Sequence, residues 1–182
     1  STICINAAAI NLSATPLGGT WSGAGVSAQT FNPSLAGLGN HKIYYTVTNA
    51  NACTDKDSVS ITVLGLPSPQ IVGLPTTICI AANTFTINLN PTGGILSGPG
   101  LTAGYSFTAA LAGLGTQILN YTYTNSNGCV GTTSTTVIEN ALPVTSILGE
   151  PGYCPGLTTT LSAQPGFVSY QWSTSTSGTS IE

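Results

Sequence analysis

One long phrase occurs twice in this sequence of 182 residues, and it constrains the fold more than any other feature. SLAGLGNHKIYYTVTNANAC covers positions 34–53, and ALAGLGTQILNYTYTNSNGC covers positions 110–129. Upstream of it, residues 2–25 match residues 77–100 at an offset of 75, and one extra residue then makes the offset 76. Self-similarity at a fixed period predicts tandem structural units. A third, more divergent unit begins at GYCPGLTTTLSA, in 152–163.

The repeated unit has the residue pattern of β-strands. In HKIYYTVTN, Ile43, Tyr45 and Val47 fall on one face, and QILNYTYTN in 117–125 alternates in the same way. Such alternation of β-branched and aromatic residues is typical of half-buried strands. The turns NANA and NSNG tolerate positive φ and predict hairpins. Because no stretch of ten residues shows a helical period with capping signals, the chain is predicted to be all-β.

The length of the unit indicates its architecture. About 75 residues with six or seven short strands predict an immunoglobulin-like sandwich, whereas a solenoid layer usually spans about 20–45 residues. We predict repeat 1 in 1–66, repeat 2 in 67–142 and the incomplete start of a third repeat in 143–182. Prolines in the linkers 64–75 and 140–151 favour units arranged end to end. We expect the chain to be a piece of a longer protein.

The positions of the five cysteines match the repeat. Cys4 and Cys53 bracket the first unit, Cys79 and Cys129 the second, and Cys154 opens the third. Four cysteines allow three pairings, and pairing within each unit respects the repeat. The sequence therefore predicts Cys4–Cys53 and Cys79–Cys129 disulfides, with Cys154 unpaired in this chain. Each bridge would close a loop of about 50 residues near the last hairpin, with a stabilisation of about 4 kcal/mol; buried free thiols are the alternative.

The charge content excludes several classes of partner. Charged residues make up 4% of the chain, with only two lysines and no arginine. Nucleic acids and anionic membrane surfaces need clustered basic residues, so neither is predicted as a partner. Mean hydropathy is +0.30, but prolines interrupt the most apolar stretch, 58–82. A spanning helix needs about 20 uninterrupted apolar residues, so no membrane span is predicted.

No catalytic, cofactor or metal site is predicted. The single histidine, His41, is replaced by Gln117 in the second unit, which favours a solvated strand-edge residue over a catalytic base. Zinc is not expected, since CxxC motifs are missing. Asp55 and Asp57 resemble a carboxylate pair or calcium ligands. The second unit has Gly and Thr at these positions, so solvated turn charges are favoured.

Two further features have a structural and a functional interpretation. The runs GGTWSGAG and GGILSGPG lack the Lys-Ser/Thr ending of a phosphate-binding loop and precede no helix, which favours turns and bulges. Trp21 is either a sugar-stacking platform or the core tryptophan of a third strand. Leucine or isoleucine replaces it in the second unit, which favours the core. Trp172 is predicted to be a core residue of the third unit in the same way.

Together these segments resemble a known class of repeats. TICINAAAINLSA, GGTWSGAGV, FNPSLAGLG, IYYTVTNANAC and VSITV are similar to the immunoglobulin-like repeats of very large Bacteroidota surface adhesins, the SprB-like gliding adhesin family. The resemblance covers both full units. The start of the third unit, CPGLTTTLSA, resembles a second repeat type of such proteins.

The resemblance implies type IX secretion, an extracellular location at the cell surface, and a role in adhesion or gliding motility. It also implies O-glycosylation of Ser58, which lies in an Asp-Ser-Val motif. The predicted function is a non-catalytic, rod-like spacer stapled by disulfides. The alternatives are a glycan-binding module that uses Trp21 or Tyr44, and an accessory region of an extracellular enzyme. Neighbouring repeats, surface glycans and other cell-surface proteins are the candidate partners.

Overall fold

The computed structural model describes residues 1–149, 152, 154, 156 and 158–181. Apart from two helices of four residues each, the regular structure in it is strand, which confirms the all-β prediction. The chain divides into two compact units, Ser1–Asn140 and Ala141–Glu182. The first unit contains both repeats, and every sheet in it is formed by strands of a single repeat.

Repeat 1 consists of one long hairpin with short strands around it. Its elements are β1 (Thr2–Cys4), β2 (Ile10–Asn11), β3 (Thr20–Ser22), β4 (Val26–Ser27), β5 (Thr30–Phe31), α1 (Pro33–Ala36), β6 (Gly39–Thr48) and β7 (Thr54–Leu64). One sheet has the order β1-β7-β6-β3 and the other β2-β5-β4. Strands β6 and β7 are antiparallel throughout, whereas β1 is parallel to the end of β7.

Repeat 2 has the same order of elements and two extra strands. They are β8 (Gln70–Val72), β9 (Thr77–Cys79), β10 (Phe85–Thr86), β11 (Asn88–Asn90), β12 (Ile95–Ser97), β13 (Leu101–Thr102), β14 (Ser106–Phe107), α2 (Ala109–Ala112), β15 (Gly115–Thr124) and β16 (Val130–Asn140). The sheets β12-β15-β16-β9 and β10-β14-β13 match those of repeat 1. The additional pair, β11-β8, brings a strand of the linker into the fold.

Side-chain hydrogen bonds explain the residues of the repeated phrase. The Asn49 Oδ1 atom accepts the backbone N–H groups of Asn51 and Cys53, both at 3.0 Å, and Asn125 caps the second hairpin in the same way. The Tyr45 hydroxyl accepts the N–H of Gly19 at 2.8 Å. It also donates to the Pro16 carbonyl at 2.7 Å.

Tyr121 makes the equivalent two hydrogen bonds in repeat 2, at 2.9 and 2.6 Å. Gly19 before β3 and Gly94 before β12 are needed because a side chain there would collide with the tyrosine ring. A glycine, a tyrosine and an asparagine turn therefore recur in both copies for the same steric and hydrogen-bonding reasons.

Each repeat encloses its own hydrophobic core between its sheets, as in a β-sandwich. In repeat 1 the buried residues are Phe31, Ile43, Ile61 and Val63. In repeat 2 the core is larger and consists of Ile78, Ile87, Leu89, Phe107, Ala109, Leu119, Tyr121 and Val137. Trp21 packs, partly buried, against the core of repeat 1, as the structural interpretation of this residue predicts.

The second unit, Ala141–Glu182, contains a three-stranded antiparallel sheet of β17 (Ile147–Leu148), β18 (Leu161–Ala163) and β19 (Ser180–Ile181), in that order. Trp172 is half-buried and donates from Nε1 to the Gly178 carbonyl at 2.9 Å. It lines a cavity of about 500 Å³ together with Phe167 and Tyr170. Trp172 is therefore only partly enclosed.

Candidate functional site

The disulfide connects the two repeats, contrary to the prediction. Cys4 is bonded to Cys129, with the two Cα atoms 5.6 Å apart. Within the described residues Cys53, Cys79 and Cys154 are free and exposed. The predicted Cys4–Cys53 and Cys79–Cys129 pairs are therefore wrong, although two of the four residues do form a bridge, and Cys154 is unpaired as expected.

The direction of β1 explains this correction. Because β1 is parallel to β7, Cys4 lies opposite Leu64, the last residue of β7. Cys53 lies in the turn before β7, a strand of 11 residues. At about 3.3 Å per residue, the two cysteines are roughly 35 Å apart, while a disulfide needs Cα atoms within about 7 Å. The sequence pattern shows where strands are, but it does not show that β1 pairs with the far end of β7.

The hairpin of repeat 2 lies at the junction of the repeats. Cys129, which is fully buried, belongs to the turn between β15 and β16. Two residues later, the backbone of Gly131 is in such close contact with the Pro67 carbonyl that a side chain would not fit. The linker and the disulfide thus both join repeat 1 to the hairpin end of repeat 2. This junction is the first candidate functional site.

The linker continues from this contact into repeat 2 as a strand. Strand β8 pairs with β11, so that Gln70, Ile71 and Val72 lie opposite Asn90, Leu89 and Asn88. Ile71 and Leu74 pack against the core of repeat 2. The linker therefore completes the fold of repeat 2 in addition to connecting the two repeats.

Repeat 1 has an open groove in the corresponding place. The groove has a volume of about 470 Å³ and lies between residues 11–15 on one side and 57–59 on the other. Trp21, Ile43 and Tyr45 also line it. The rings of Trp21 and Tyr45 are tilted, with centroids 4.7 Å apart. We call this cavity the repeat-1 groove, and it is the second candidate functional site.

His41 has a structural contact, and it is half-buried where the sequence predicts a solvated residue. Its Nε2 atom lies 2.8 Å from the Gly37 carbonyl. In repeat 2, the Nε2 of Gln117 donates to the Gly113 carbonyl, also at 2.8 Å. The two side chains therefore make the same contact with the loop after the short helix.

The carboxylates of Asp55 and Asp57 are exposed and lie on strand β7, beyond the hairpin turn. Each accepts the backbone N–H of the following residue, at 2.9 and 2.7 Å. Lys56 lies between them, with Nζ 3.8 Å from the centroid of the Tyr44 ring. In the part of the chain that the structure describes, no group of three or more His, Cys, Asp or Glu side chains could hold a metal ion.

Ser58 is exposed on β7, opposite Tyr44, and lines the repeat-1 groove. Its backbone N–H donates to the Asp57 carboxylate. The side chain is accessible to a modifying enzyme, and its O-glycosylation stays a prediction.

The sequence analysis missed one buried ionisable group, Glu139. Its side chain is 2% exposed, and neither carboxylate oxygen has a hydrogen-bond partner among the described residues. Burial raises the pKa of this carboxyl group above its usual value. Glu139 follows Val137 on the inward face of β16 and corresponds to Val63 in repeat 1. The alignment of the two repeats was the signal that could have identified it.

The described ranges contain no helix that is long and apolar enough to cross a membrane. No protein-family model matches the sequence, and a search of curated proteins finds no significant match.

Proposed function

We propose that this chain is a non-catalytic spacer from a large cell-surface adhesin or filament, built of immunoglobulin-like sandwiches arranged end to end. One observation carries the proposal: the Cys4–Cys129 disulfide joins two copies of the same fold. A bridge within a domain protects that domain alone. A bridge between domains, added to the linker, restrains how the two copies move relative to each other.

The position of the bridge suits a chain that transmits force. Its two cysteines are 125 residues apart in sequence, so pulling on the ends cannot extend the enclosed segment while the bridge is intact. Cys53 corresponds to Cys129, and Cys79 corresponds to Cys4. Further repeats joined in the same way would form a continuously stapled filament.

The composition is compatible with a passive, extracellular role. Disulfides persist in oxidising compartments. With 4% charged residues, the surface has few groups whose interactions depend on salt or pH. The resemblance to SprB-like adhesin repeats supports type IX secretion to the cell surface, with Ser58 as a candidate glycosylation site. Neighbouring repeats are the proposed partners.

Small-angle scattering tests the spacer proposal. The oxidised chain should give the long maximum dimension of sandwiches arranged end to end. The variant Cys4→Ser/Cys129→Ser should give a broader distribution of dimensions, because only the linker then joins the repeats. A compact particle in the oxidised state would contradict the spacer role.

The repeat-1 groove supports a second candidate function, glycan binding. The tilted pair Trp21 and Tyr45 is half-buried at an open cavity, and aromatic faces are common platforms for sugar rings. A glycan array should then show binding that Trp21→Ala removes. Leu96→Ala, the equivalent change in repeat 2, is the matched control. No binding by the unmodified chain would reject this function.

A further inference from the structure

We propose that the repeat-1 groove binds one extended strand with a sequence like that of the linker. This strand would be joined ahead of Ser1 and would pair with Ser13–Thr15. The occupant has the chemistry of residues 67–73, PSPQIVG, in which prolines precede an alternating Gln-Ile-Val strand. The inference rests on the equivalence of the two repeats, and it is independent of the spacer role.

The first argument is how the equivalent edge is used elsewhere in the chain. In repeat 2, strand β8 comes from the residues before the first strand and pairs with β11. In the unit Ala141–Glu182, strand β17 likewise precedes β18 and pairs with it. Residues 13–15 of repeat 1 are aligned with β11, but within the described residues they belong to no sheet. An unpaired edge of this kind can accept an added strand.

The second argument is burial. Leu89 lies in the strand that pairs with β8 and Ile87 lies directly before that strand, and they are 8% and 3% exposed. Their counterparts Leu12 and Ala14 are only half-buried. Tyr121 is fully buried, while its counterpart Tyr45 is half-buried and lines the groove. The side chains that are buried in repeat 2, where β8 is paired with β11, are therefore the ones whose counterparts remain accessible in repeat 1.

The third argument is the register. Ser1 is aligned with Thr76, so a second copy of residues 64–75 joined to Ser1 would have the same spacing as the natural linker. By the pairing seen in repeat 2, the copied Val72 would lie opposite Ser13, and the copied Ile71 opposite Ala14. The copied Ile71 would then enter the groove beside Tyr45.

The binding place of the linker in repeat 2 and the repeat-1 groove differ at one position. Gly131 allows the Pro67 carbonyl to approach the backbone of β16 closely, whereas repeat 1 has Asp55 there. The side chain of Asp55 would collide with a proline placed in the same way. We therefore expect pairing at Ser13–Thr15 to form first, and Asp55→Gly to bring the rest of the segment against β7.

The experiment compares two extended proteins, each the full chain with residues 64–75 copied ahead of Ser1. The control carries Ile71→Asp in the added copy only, so that length and attachment are equal. Backbone amide exchange of residues 13–15 should slow at least tenfold in the first protein and remain at the rate of the original chain in the control. Asp55→Gly in the first protein should slow the exchange further.

Trp21 fluorescence provides a second readout, recorded in a Trp172→Phe background so that only one tryptophan emits. The added strand should reduce quenching of Trp21 by acrylamide, and the control should not. Equal exchange and equal quenching in the two extended proteins would overturn the inference. Since neither readout depends on the dimensions of the chain, this failure would leave the spacer proposal standing. Glycan binding that persists unchanged in the extended protein would also count against a strand in the groove.

Discussion

Repeats 1 and 2 share a topology, a hairpin turn and a tyrosine–glycine contact, yet they differ in how completely their cores are enclosed. The core cluster of repeat 2 has eight buried residues and that of repeat 1 has four, although Pro33, the counterpart of Ala109, is also buried. The linker contributes to the difference, because β8 pairs with the strand that contains Leu89, and Ile71 packs against the core of repeat 2. The segment that precedes repeat 2 therefore completes its fold.

The largest expected effect concerns the bridge that joins the two repeats. Cys129→Ser should lower the free energy of unfolding by about 5 kcal/mol in the chain-entropy model, since the loop is long. Cys53→Ser, the equivalent change in repeat 1, should have little effect, because Cys53 is free and exposed. Denaturant unfolding of both variants measures the difference.

Peptide mapping without reduction gives an independent check of the cysteine pairing. It should recover one linked pair, Cys4 with Cys129. A Cys4–Cys53 or Cys79–Cys129 peptide would show that the pairing stays within each repeat.

The buried tyrosine is expected to matter more in the covered repeat. Tyr121→Phe leaves the Gly94 N–H and the Pro91 carbonyl without the hydroxyl that now bonds both, which should cost roughly 2–3 kcal/mol. Tyr45→Phe removes the same bonds in a half-buried site, where water can replace the hydroxyl, and should cost less. Equal losses in thermal unfolding would mean that the linker does not change the environment of this contact.

At Glu139 repeat 2 is expected to be the less stable of the two repeats, because its larger core contains a carboxyl group that is unpaired among the described residues. Glu139→Val, which introduces the residue of repeat 1, should stabilise the protein by about 1–2 kcal/mol by removing an unpaired buried carboxyl group. The converse change, Val63→Glu, should destabilise repeat 1. Calorimetry of both variants tests this, and a destabilised Glu139→Val would reveal a partner for the carboxyl group.

The pH dependence of stability should follow from the same residue. Burial raises the pKa of Glu139 in the folded state, while the unfolded value is about 4.3. The protonated form is therefore favoured by folding, so this contribution is fully present below about pH 4 and is lost as pH rises through the folded pKa. Denaturation midpoints should fall over that window, and Glu139→Gln should flatten the profile.

The smallest effect is expected at His41. His41→Gln introduces the residue of repeat 2, which bonds the equivalent carbonyl at the same distance. The change should alter the free energy of unfolding by less than about 0.5 kcal/mol. A large loss would indicate that His41 has a role beyond this contact.

Local features of the fold could be predicted from the sequence because they depend on residues close together along the chain. The alternation in 41–49 places Ile43 in the core, and Asn49 caps a turn of only five residues, 49–53. Trp21 packs against the core, as the substitution by an aliphatic residue in repeat 2 indicates. The repeat itself ensures that each such prediction holds for both copies.

Contacts between distant segments were decided by the tertiary structure. Cys4 and Cys53 belong to the same repeat but lie at opposite ends of β7. Cys4 therefore bonds to the hairpin of the next repeat. Nothing in the linker sequence shows that Ile71 enters a core, or that Glu139 lies where no partner reaches it. The sequence alone determined the strands and turns, since hydrogen bonds and side-chain alternation act over a few residues. Which strand ends meet depends on the direction in which β1 and β8 pair, and that direction is set only when the sheets assemble.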